Sequence, residues 1–336
     1  MNLDQRIAAF ARLGDYLRNL PKDDFNRLAE NAQQENPWFT PDNVQRALTA
    51  VSAYLQEDKL NTWAHRYAFS NSTVKTIALI LAGNIPLVGF HDLLCVLISG
   101  NRALIKYSHK DRQLTEHLMH KLTEFEPAFA DRIILTDGPV KNFDAVIATG
   151  SDNSARYFQY YFGRYPHIIR KNRVSVAVLS GNETQQQLEN LGEDVFSYFG
   201  LGCRNVAKIF VPRGFDLFVL RDAWKKFESV IYHHKYANNY DYQKSVFLVN
   251  REPFTDFGFA LLKESEQLVS PVSVIYWQPY HSMEEVAAGL EVLKDKIQCY
   301  VGNMAEGIGF GKAQYPELDD YADGIDALQF LQQLSA

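Results

Sequence analysis

Three cysteines stand in the 336 residues, and their surroundings differ. Cys95 lies within Leu93-Leu94-Cys95-Val96-Leu97 and Cys299 within Ile297-Gln298-Cys299-Tyr300-Val301. Both runs read as core, where a thiol behaves as a small apolar group. Cys203 lies in Gly200-Leu201-Gly202-Cys203-Arg204-Asn205, after an amphipathic helix carrying Leu188, Leu191, Val195 and Tyr198. The glycines let backbone and substrate approach closely, and the adjacent Arg204 would favour a thiolate. A thiolate can attack an acyl thioester or an aldehyde carbon and form a covalent intermediate. Local context leaves two readings open for Cys203, a nucleophile and a buried structural thiol.

Other reactive groups give weaker signals. There is no Walker A loop and no G-x-G-x-x-G. Gly307-Ile308-Gly309-Phe310-Gly311-Lys312 follows no obvious strand–helix turn and reads as a loop. Among the histidines, His117 and His120 are three apart on a helix and His233-His234 are adjacent. Solvated or capping roles fit them, and no metal is expected. Tyr232, Tyr236, Tyr240, Tyr242 and Phe247 could line an acyl tunnel or pack a domain edge.

The elements that must position these groups follow from periodicity. The first 70 residues read as helical, with Ile7, Phe10, Leu13 and Leu17 on one face and Val44, Leu48, Val51 and Leu55 on another. Pro37 and Pro41 punctuate the stretch between those two helices. From about Thr76, short apolar runs alternate with helical stretches. Strands are expected at Ile77–Leu81, Ala103–Tyr107, Arg132–Leu135, Ala145–Thr149, Val174–Leu179, Val206–Val211, Ser245–Val249, Val272–Trp277 and Ile297–Val301. Helices are expected at 86–99, 111–126, 152–163, 184–199, 216–230 and 282–295. Such alternation specifies doubly wound α/β domains with largely parallel sheets. A boundary is expected near Lys171 to Val174, between a cofactor-binding half and a catalytic half.

Bulk properties exclude several classes. A net charge of −6 argues against nucleic acid as a partner. The most apolar stretch, Leu79 to Ser99, is interrupted by Gly83-Asn84, Pro86, Gly89 and His91-Asp92, short of the ~20 apolar residues that span a bilayer. The first residues lack the apolar core of a signal peptide, and three cysteines make no disulfide framework. A cytoplasmic, non-transmembrane protein is expected.

Four segments, in order over roughly residues 75 to 330, resemble the aldehyde dehydrogenase superfamily, and within it the luminescence-type (LuxC) fatty acyl-CoA reductases. Gly83-Asn84-Ile85-Pro86-Leu87 is similar to the P-W-N-x-P loop, which implies Asn84 as the amide donor to the oxyanion. Ser99-Gly100-Asn101-Arg102-Ala103-Leu104-Ile105-Lys106-Tyr107-Ser108 is similar to the G-N-x-x-x-x-K-P-S-E strand, which implies Lys106 at the adenosine ribose with Ser108 and His109 beside it. His109 replaces a glutamate that would hold a free 2′-hydroxyl, and His109, Lys110 and Arg112 make the neighbourhood cationic, which favours NADP(H). Ala148-Thr149-Gly150-Ser151 is similar to the F-T-G-S turn, which implies Gly150 and Ser151 under the cofactor pyrophosphate. Phe199-Gly200-Leu201-Gly202-Cys203 followed by Lys208-Ile209-Phe210-Val211-Pro212 is similar to the G-Q-x-C and R-x-F-V-P segments, which implies Cys203 as the nucleophile.

Two departures carry information. Where the E-L-G-G-K segment supplies a glutamate that activates water, alignment places Ile169, with no carboxylate in Ile168-Ile169-Arg170-Lys171. An acyl-enzyme lacking that base would exchange with CoA instead. Gln267-Leu268-Val269-Ser270-Pro271-Val272 is similar to the E-x-F-G-P-V segment, placing Gln267 at the nicotinamide ribose with Glu266 adjacent. Tyr315 to Gly324 also resembles the acyl-CoA reductases.

The resemblance implies an aldehyde-dehydrogenase-like α/β fold of two Rossmann-like doubly wound domains. The expected division is a helical N-terminal segment (1–75), a nicotinamide cofactor domain (76–172), a catalytic domain with Cys203 (173–305) and a segment returning to the cofactor domain (306–336). The implied activity is reduction of a fatty acyl-CoA to the aldehyde with NADPH through a Cys203 thioester. The implied partners are an acyl-CoA or acyl-carrier substrate, an acyltransferase or synthetase, and further copies in an oligomer. The alternatives are a cysteine-dependent acyltransferase or thioesterase without nicotinamide, and a non-catalytic acyl-binding homologue.

Overall fold

Ile7, Phe10, Leu13 and Leu17 are buried along one face of α1 (Leu3–Arg18). The computed structural model describes residues 1–69, 74–302, 304 and 307–334. Asn2 opens α1 with a reciprocal capping box to Gln5. Then come α2 (Lys22–Glu35), α3 (Pro41–Tyr54), capped by Thr40, and α4 (Glu57–Ala64). Two of these helices go beyond the expected pair. α2 buries only Leu28, Ala29 and Ala32, too little apolar signal to stand out from a polar sequence.

The chain continues as β1 (Thr76–Ile80), α5 (Phe90–Ile98), β2 (Arg102–Lys106), α6 (Arg112–Phe125), β3 (Ile133–Thr136), β4 (Ala145–Thr149), α7 (Asp152–Phe162) and β5 (His167–Arg170). These strands form a parallel sheet in the order β3-β2-β1-β4-β5. Ile77, Leu79, Ile105 and Ile147 share a core with α5, α6 and the N-terminal helices, while Ala78, Val146 and Ala148 pack with Phe158 and Phe162 of α7. Strand order runs outward from β1 to β3 and resumes on the other side at β4. The sheet therefore switches direction between β1 and β4, and in open α/β sheets ligands bind beyond the carboxyl ends of strands at such a point.

The second sheet is built from β6 (Val174–Val178), β7 (Val206–Pro212), β8 (Thr255–Asp256), β9 (Leu261–Glu264), β10 (Val274–Tyr280) and β11 (Ile297–Gly302). Its order is β11-β6-β7-β10-β9-β8, parallel except where β8 meets β9. α8 (Gln185–Phe196) and α9 (Phe218–Ala223) bury Leu188, Leu191 and Leu220 against Ala177, Ile209 and Val211. α10 (His234–Val249) follows, and α11 (Met283–Leu293) covers the opposite face, Val286 and Leu290 meeting Val176 and Phe210. The chain closes with α12 (Ala327–Gln333). By its internal contacts the chain forms two units, Met1–Asn172 with Glu317–Ala336, and Arg173–Pro316.

The strand expected over Ser245–Val249 is instead the last turn of α10. Tyr236, Tyr240 and Phe247 recur at helical spacing and are buried, Tyr240 and Phe247 beside Leu261, Val274 and Tyr276, so packing overrides the local preference of the Val-Phe-Leu-Val run. Tyr232 and Tyr242 are exposed. The helix expected at 216–230 is α9 followed by a 3₁₀ turn over Lys225–Tyr232. The one expected at 86–99 begins only at Phe90, because Leu87 has φ 56°.

Candidate active site

The carboxyl ends of β1, β2 and β4 gather most of the residues singled out in the first unit. Asn84 is exposed in the loop after β1. Gly83 beside it is required by close packing, since a Cβ there would lie 2.5 Å from the Ser108 Oγ. Asn36 donates to the Gly83 carbonyl at 3.3 Å, and the Leu87 N–H donates to Asp111 Oδ2 at 2.7 Å, so two buried side chains fix this loop. Burial pushes the Asp111 carboxyl well above the usual carboxylate range.

Lys106 ends β2, and its ammonium donates to the carbonyls of Asp137 and Gly138, each at 3.1 Å. Ser108 Oγ accepts the Lys110 N–H at 3.2 Å, and His109 and Lys110 are exposed on this turn. Arg112 differs from the sequence expectation of a uniformly cationic turn. Its guanidinium pairs with Glu116 at 2.8 Å and Asp137 at 3.3 Å and lies over the Tyr107 ring. Glu35 caps α6 by accepting the N–H groups of Arg112 and Gln113 at 2.9 and 3.0 Å. The lysine charge here is that of Lys106 and Lys110, with His109 beside them, while Arg112 is engaged by Glu116 and Asp137.

At the end of β4, Ser151 caps α7 by accepting the Ser154 N–H at 3.2 Å. A Cβ on Gly150 would lie 2.7 Å from Ser154 Cβ and 2.9 Å from Phe158 Cε2, so the helix start abuts the strand end through glycine. Glycine at this turn, a helix N-terminus beside the switch point and a lysine held at the end of β2 fit a dinucleotide.

Ile169 lies on β5, paired in register with Ala148. Its neighbours Ile168 and Arg170 are buried on the face of α5, where Arg170 makes two hydrogen bonds to Asp92 at 2.7 and 3.1 Å. By strand alternation Ile169 projects to the face of α7.

The second unit holds Cys203 and Gln267. Cys203 is half-buried, whereas Cys95 and Cys299 are buried. Burial also pushes the Cys95 thiol well above its ordinary value, which leaves it unreactive. The backbone before Cys203 is unusual. Tyr198 (φ 52°, ψ 26°) and Phe199 (φ 58°, ψ 25°) are left-handed, and Gly200 follows at φ 76°. For non-glycine residues this costs roughly 1–2 kcal/mol each. Asn205 holds the segment by accepting the Gly202 N–H at 2.8 Å and donating to the Ser197 carbonyl at 2.8 Å. Ser175 on β6 donates to the Cys203 carbonyl at 3.1 Å.

The Arg204 Nε donates to the Ala313 carbonyl at 2.5 Å. Asp194 of α8 accepts the N–H groups of Gly311 and Ala313 at 2.6 and 2.9 Å. The glycine-rich segment is a loop anchored to the Cys203 loop through Asp194 and Arg204. Of it, residues 307–312 are described while 305 and 306 are not.

Gln267 is exposed between β9 and β10, with the Tyr276 hydroxyl donating to it at 3.4 Å. Lys208 on β7 is fully buried and donates to the Glu266 carbonyl at 3.0 Å and to Gln278 at 2.6 Å. Burial pushes its ammonium down to about 8. It ties the strand that follows Cys203 to the loop that carries Gln267. Asn205, Asp194, Ser175 and Lys208 were not singled out by sequence reasoning. Of these, Ser175 and Lys208 carry the signal of a polar residue inside an apolar run, Val174–Leu179 and Val206–Val211.

Among the described residues, no cluster of three or more His, Cys, Asp or Glu side chains could hold a metal, and no helix is long and apolar enough to cross a membrane.

Comparison with known proteins places this arrangement. No curated protein matches the chain. Solved structures of aldehyde dehydrogenases share the fold at low identity. Aldehyde dehydrogenase 21 from Physcomitrella patens, in complex with succinate, matches at 10% identity with a TM-score of 0.68, over 99% of this chain and 84% of its own. An aldehyde dehydrogenase from Mycobacterium tuberculosis, complexed with NAD+, matches at 14% identity and a TM-score of 0.65, over 86% and 71%. A mutant of aldehyde dehydrogenase C from Pseudomonas syringae, complexed with NAD+ and octanal, matches at 11% identity and a TM-score of 0.63, over 86% and 70%. The model of the acyl-CoA reductase (LuxC) family matches residues 12–222, which include Asn84, Lys106, Ser151 and Cys203. This chain therefore belongs to the LuxC acyl-CoA reductase family, on an aldehyde dehydrogenase fold, and is an oxidoreductase working at the aldehyde level.

Proposed function

We propose that this chain reduces a fatty acyl-CoA to the aldehyde with NADPH, through a thioester on Cys203. The observation that carries this reading is the contrast among the thiols. Cys203 alone is half-buried, on a loop whose backbone is held by Asn205 and Ser175. The Cys203 thiolate attacks the acyl carbonyl, forming a carbon–sulfur bond as the carbonyl electrons move to oxygen. The Asn84 amide serves as donor to that oxyanion, a role supported by the likeness of its loop to P-W-N-x-P. Collapse expels CoA as thiolate, which takes up a proton. The nicotinamide supplies hydride to the thioester carbon when bound. The electrons of the resulting oxyanion then re-form the carbonyl as the carbon–sulfur bond breaks, which releases aldehyde and returns the Cys203 thiolate.

For the nucleotide, the likeness to G-N-x-x-x-x-K supports Lys106 at the adenosine ribose with Ser108 beside it, and the N-terminus of α7 supports Gly150 and Ser151 at the pyrophosphate. His109 and Lys110 supply the charge that favours a 2′-phosphate. The likeness to E-x-F-G-P-V supports Gln267 as the residue for the nicotinamide ribose, and Lys208 ties down its loop. On this reading residues 76–172 hold the nucleotide and 173–305 carry the nucleophile. Cytoplasmic action and an acyltransferase or synthetase as acyl donor belong to the same reading.

The test is nicotinamide oxidation on mixing with acyl-CoAs of increasing length, using NADPH and NADH in parallel. The reading expects aldehyde and free CoA in equal amounts, with NADPH preferred. Free CoA without nicotinamide oxidation would instead establish a cysteine thioesterase or acyltransferase, and equal use of both nucleotides would remove the argument from His109 and Lys110.

A further inference from the structure

The left-handed run Tyr198-Phe199-Gly200 lies between the last turn of α8 and the half-buried Cys203. Steric contact of Cβ with the backbone disfavours it at Tyr198 and Phe199, so something beyond local preference must hold it. The Asn205 side chain does so from both ends. Its Oδ1 accepts the N–H of Gly202, the residue before Cys203, at 2.8 Å. Its Nδ2 lies 2.8 Å from the Ser197 carbonyl, 3.1 Å from that of Asp194 and 3.3 Å from that of Val195. Asp194 and Val195 lie in the last turn of α8, where carbonyls lack partners within the helix, and Ser197 is its C-cap. Asn205 is 2% exposed, so water does not compete for them. One planar amide thus closes the start and the finish of the turn, and both its donor and its acceptor are needed.

We infer that Asn205 is a positioning residue for the nucleophile. It keeps Tyr198–Gly200 left-handed and so sets the direction in which Cys203 presents its sulfur. Attack on a carbonyl requires the sulfur on a narrow approach path, while alkylation by a small flexible reagent does not. The inference rests on Cys203 being the nucleophile, and it separates orientation of the thiol from reactivity of the thiol.

The test compares two reactions at Cys203 in the full chain. One is alkylation by iodoacetamide across pH. The other is single-turnover release of CoA from an acyl-CoA. The Asn205→Ala variant, checked as folded by circular dichroism, should alkylate Cys203 within about threefold of the wild-type rate and with the same pH midpoint. Its rate of CoA release should fall by about 30-fold or more, the scale of a misplacement near 1 Å. Release within about threefold of wild type, or an equal fall in both reactions, overturns the inference.

Should Asn205→Ala not fold, Gly200→Ala strains the same turn while leaving Asn205 in place. A Cβ at Gly200 would meet only the Val195 carbonyl, at 3.6 Å, so the perturbation is one of backbone angle alone. The same selective loss supports the inference and its absence overturns it. If wild-type Cys203 is neither acylated nor required for CoA release, the nucleophile assignment fails, whatever the variants do.

Discussion

The Ser175 hydroxyl donates to the Cys203 carbonyl at 3.1 Å and stands 2.9 Å from the Cys299 sulfur. Two cysteines distant in sequence therefore share one buried serine, yet they differ in exposure. Cys299 packs with Ala177 and Val301 in the core, as a small apolar group would. Cys299→Ala and Cys95→Ala should retain kcat and KM while lowering stability by about 1 kcal/mol, the usual cost of a single core change. Steady-state rates alongside urea titrations check this, and a lost turnover in either variant would assign chemistry to a core thiol.

Asn84→Ala should lower kcat by roughly 10²–10³ with the fold intact, the scale for loss of one oxyanion donor. An effect confined to KM would make Asn84 a residue that shapes the loop or binds substrate.

Ile169 is the residue that the likeness to E-L-G-G-K aligns with a water-activating glutamate, and its β5 neighbour Arg170 is tied to Asp92. In the oxidative direction, with aldehyde and NADP⁺ but no CoA, a burst of at most one NADPH per site is expected. Restoring CoA should restore turnover. A steady CoA-independent rate with free acid accumulating would reveal another base.

Asp194 is buried next to Glu193 and Arg204, and burial pushes its carboxyl up to about 6, against the effect of its two N–H donors. The folded value exceeds the ordinary 3.8, so the folded state gains from the neutral form. That stability is fully present below about pH 4 and is lost as pH rises through about 6. The span corresponds to on the order of 3 kcal/mol. Asp194→Asn lacks this titration and carries only a constant loss of hydrogen bonding. Its urea midpoint relative to wild type should therefore climb between about pH 4 and 6 and then level off. A difference that stays flat from about pH 4 to 8 would remove Asp194 from the balance.

Much of the architecture is legible in the sequence because apolar strands buried on both faces read as continuous runs. Ile77–Leu81, Ala145–Thr149 and Val174–Leu179 fall on β1, β4 and β6 within a residue or so. Two other short strands are not legible, although the four-residue β3 is. β5 reads His-Ile-Ile-Arg and β9 Leu-Leu-Lys-Glu, four residues each with charge at the end, and neither differs locally from a loop. The run at Ser245–Val249 misleads in the other direction, since only the packing of Tyr240 and Phe247 makes it helical.

At the candidate site, Cys203 is marked by its glycines and by the resemblance around it. Its supports are not marked. Nothing local makes Tyr198 and Phe199 left-handed, and the Asn205 amide acts across α8 and the loop. Asp194 and Arg204 reach residues 311–313, more than 100 positions away. Such contacts exist only once the sheet and α8 have formed.

The acyl-enzyme tests the account most directly. Wild-type protein is mixed with an acyl-CoA in the absence of nicotinamide, and intact mass, peptide mapping and released CoA thiol are read together. The account predicts one acyl group per chain on Cys203, an equivalent of free CoA, and neither in Cys203→Ala. Aldehyde formation that persists in Cys203→Ala, or an acyl group mapped to any other residue, would contradict it.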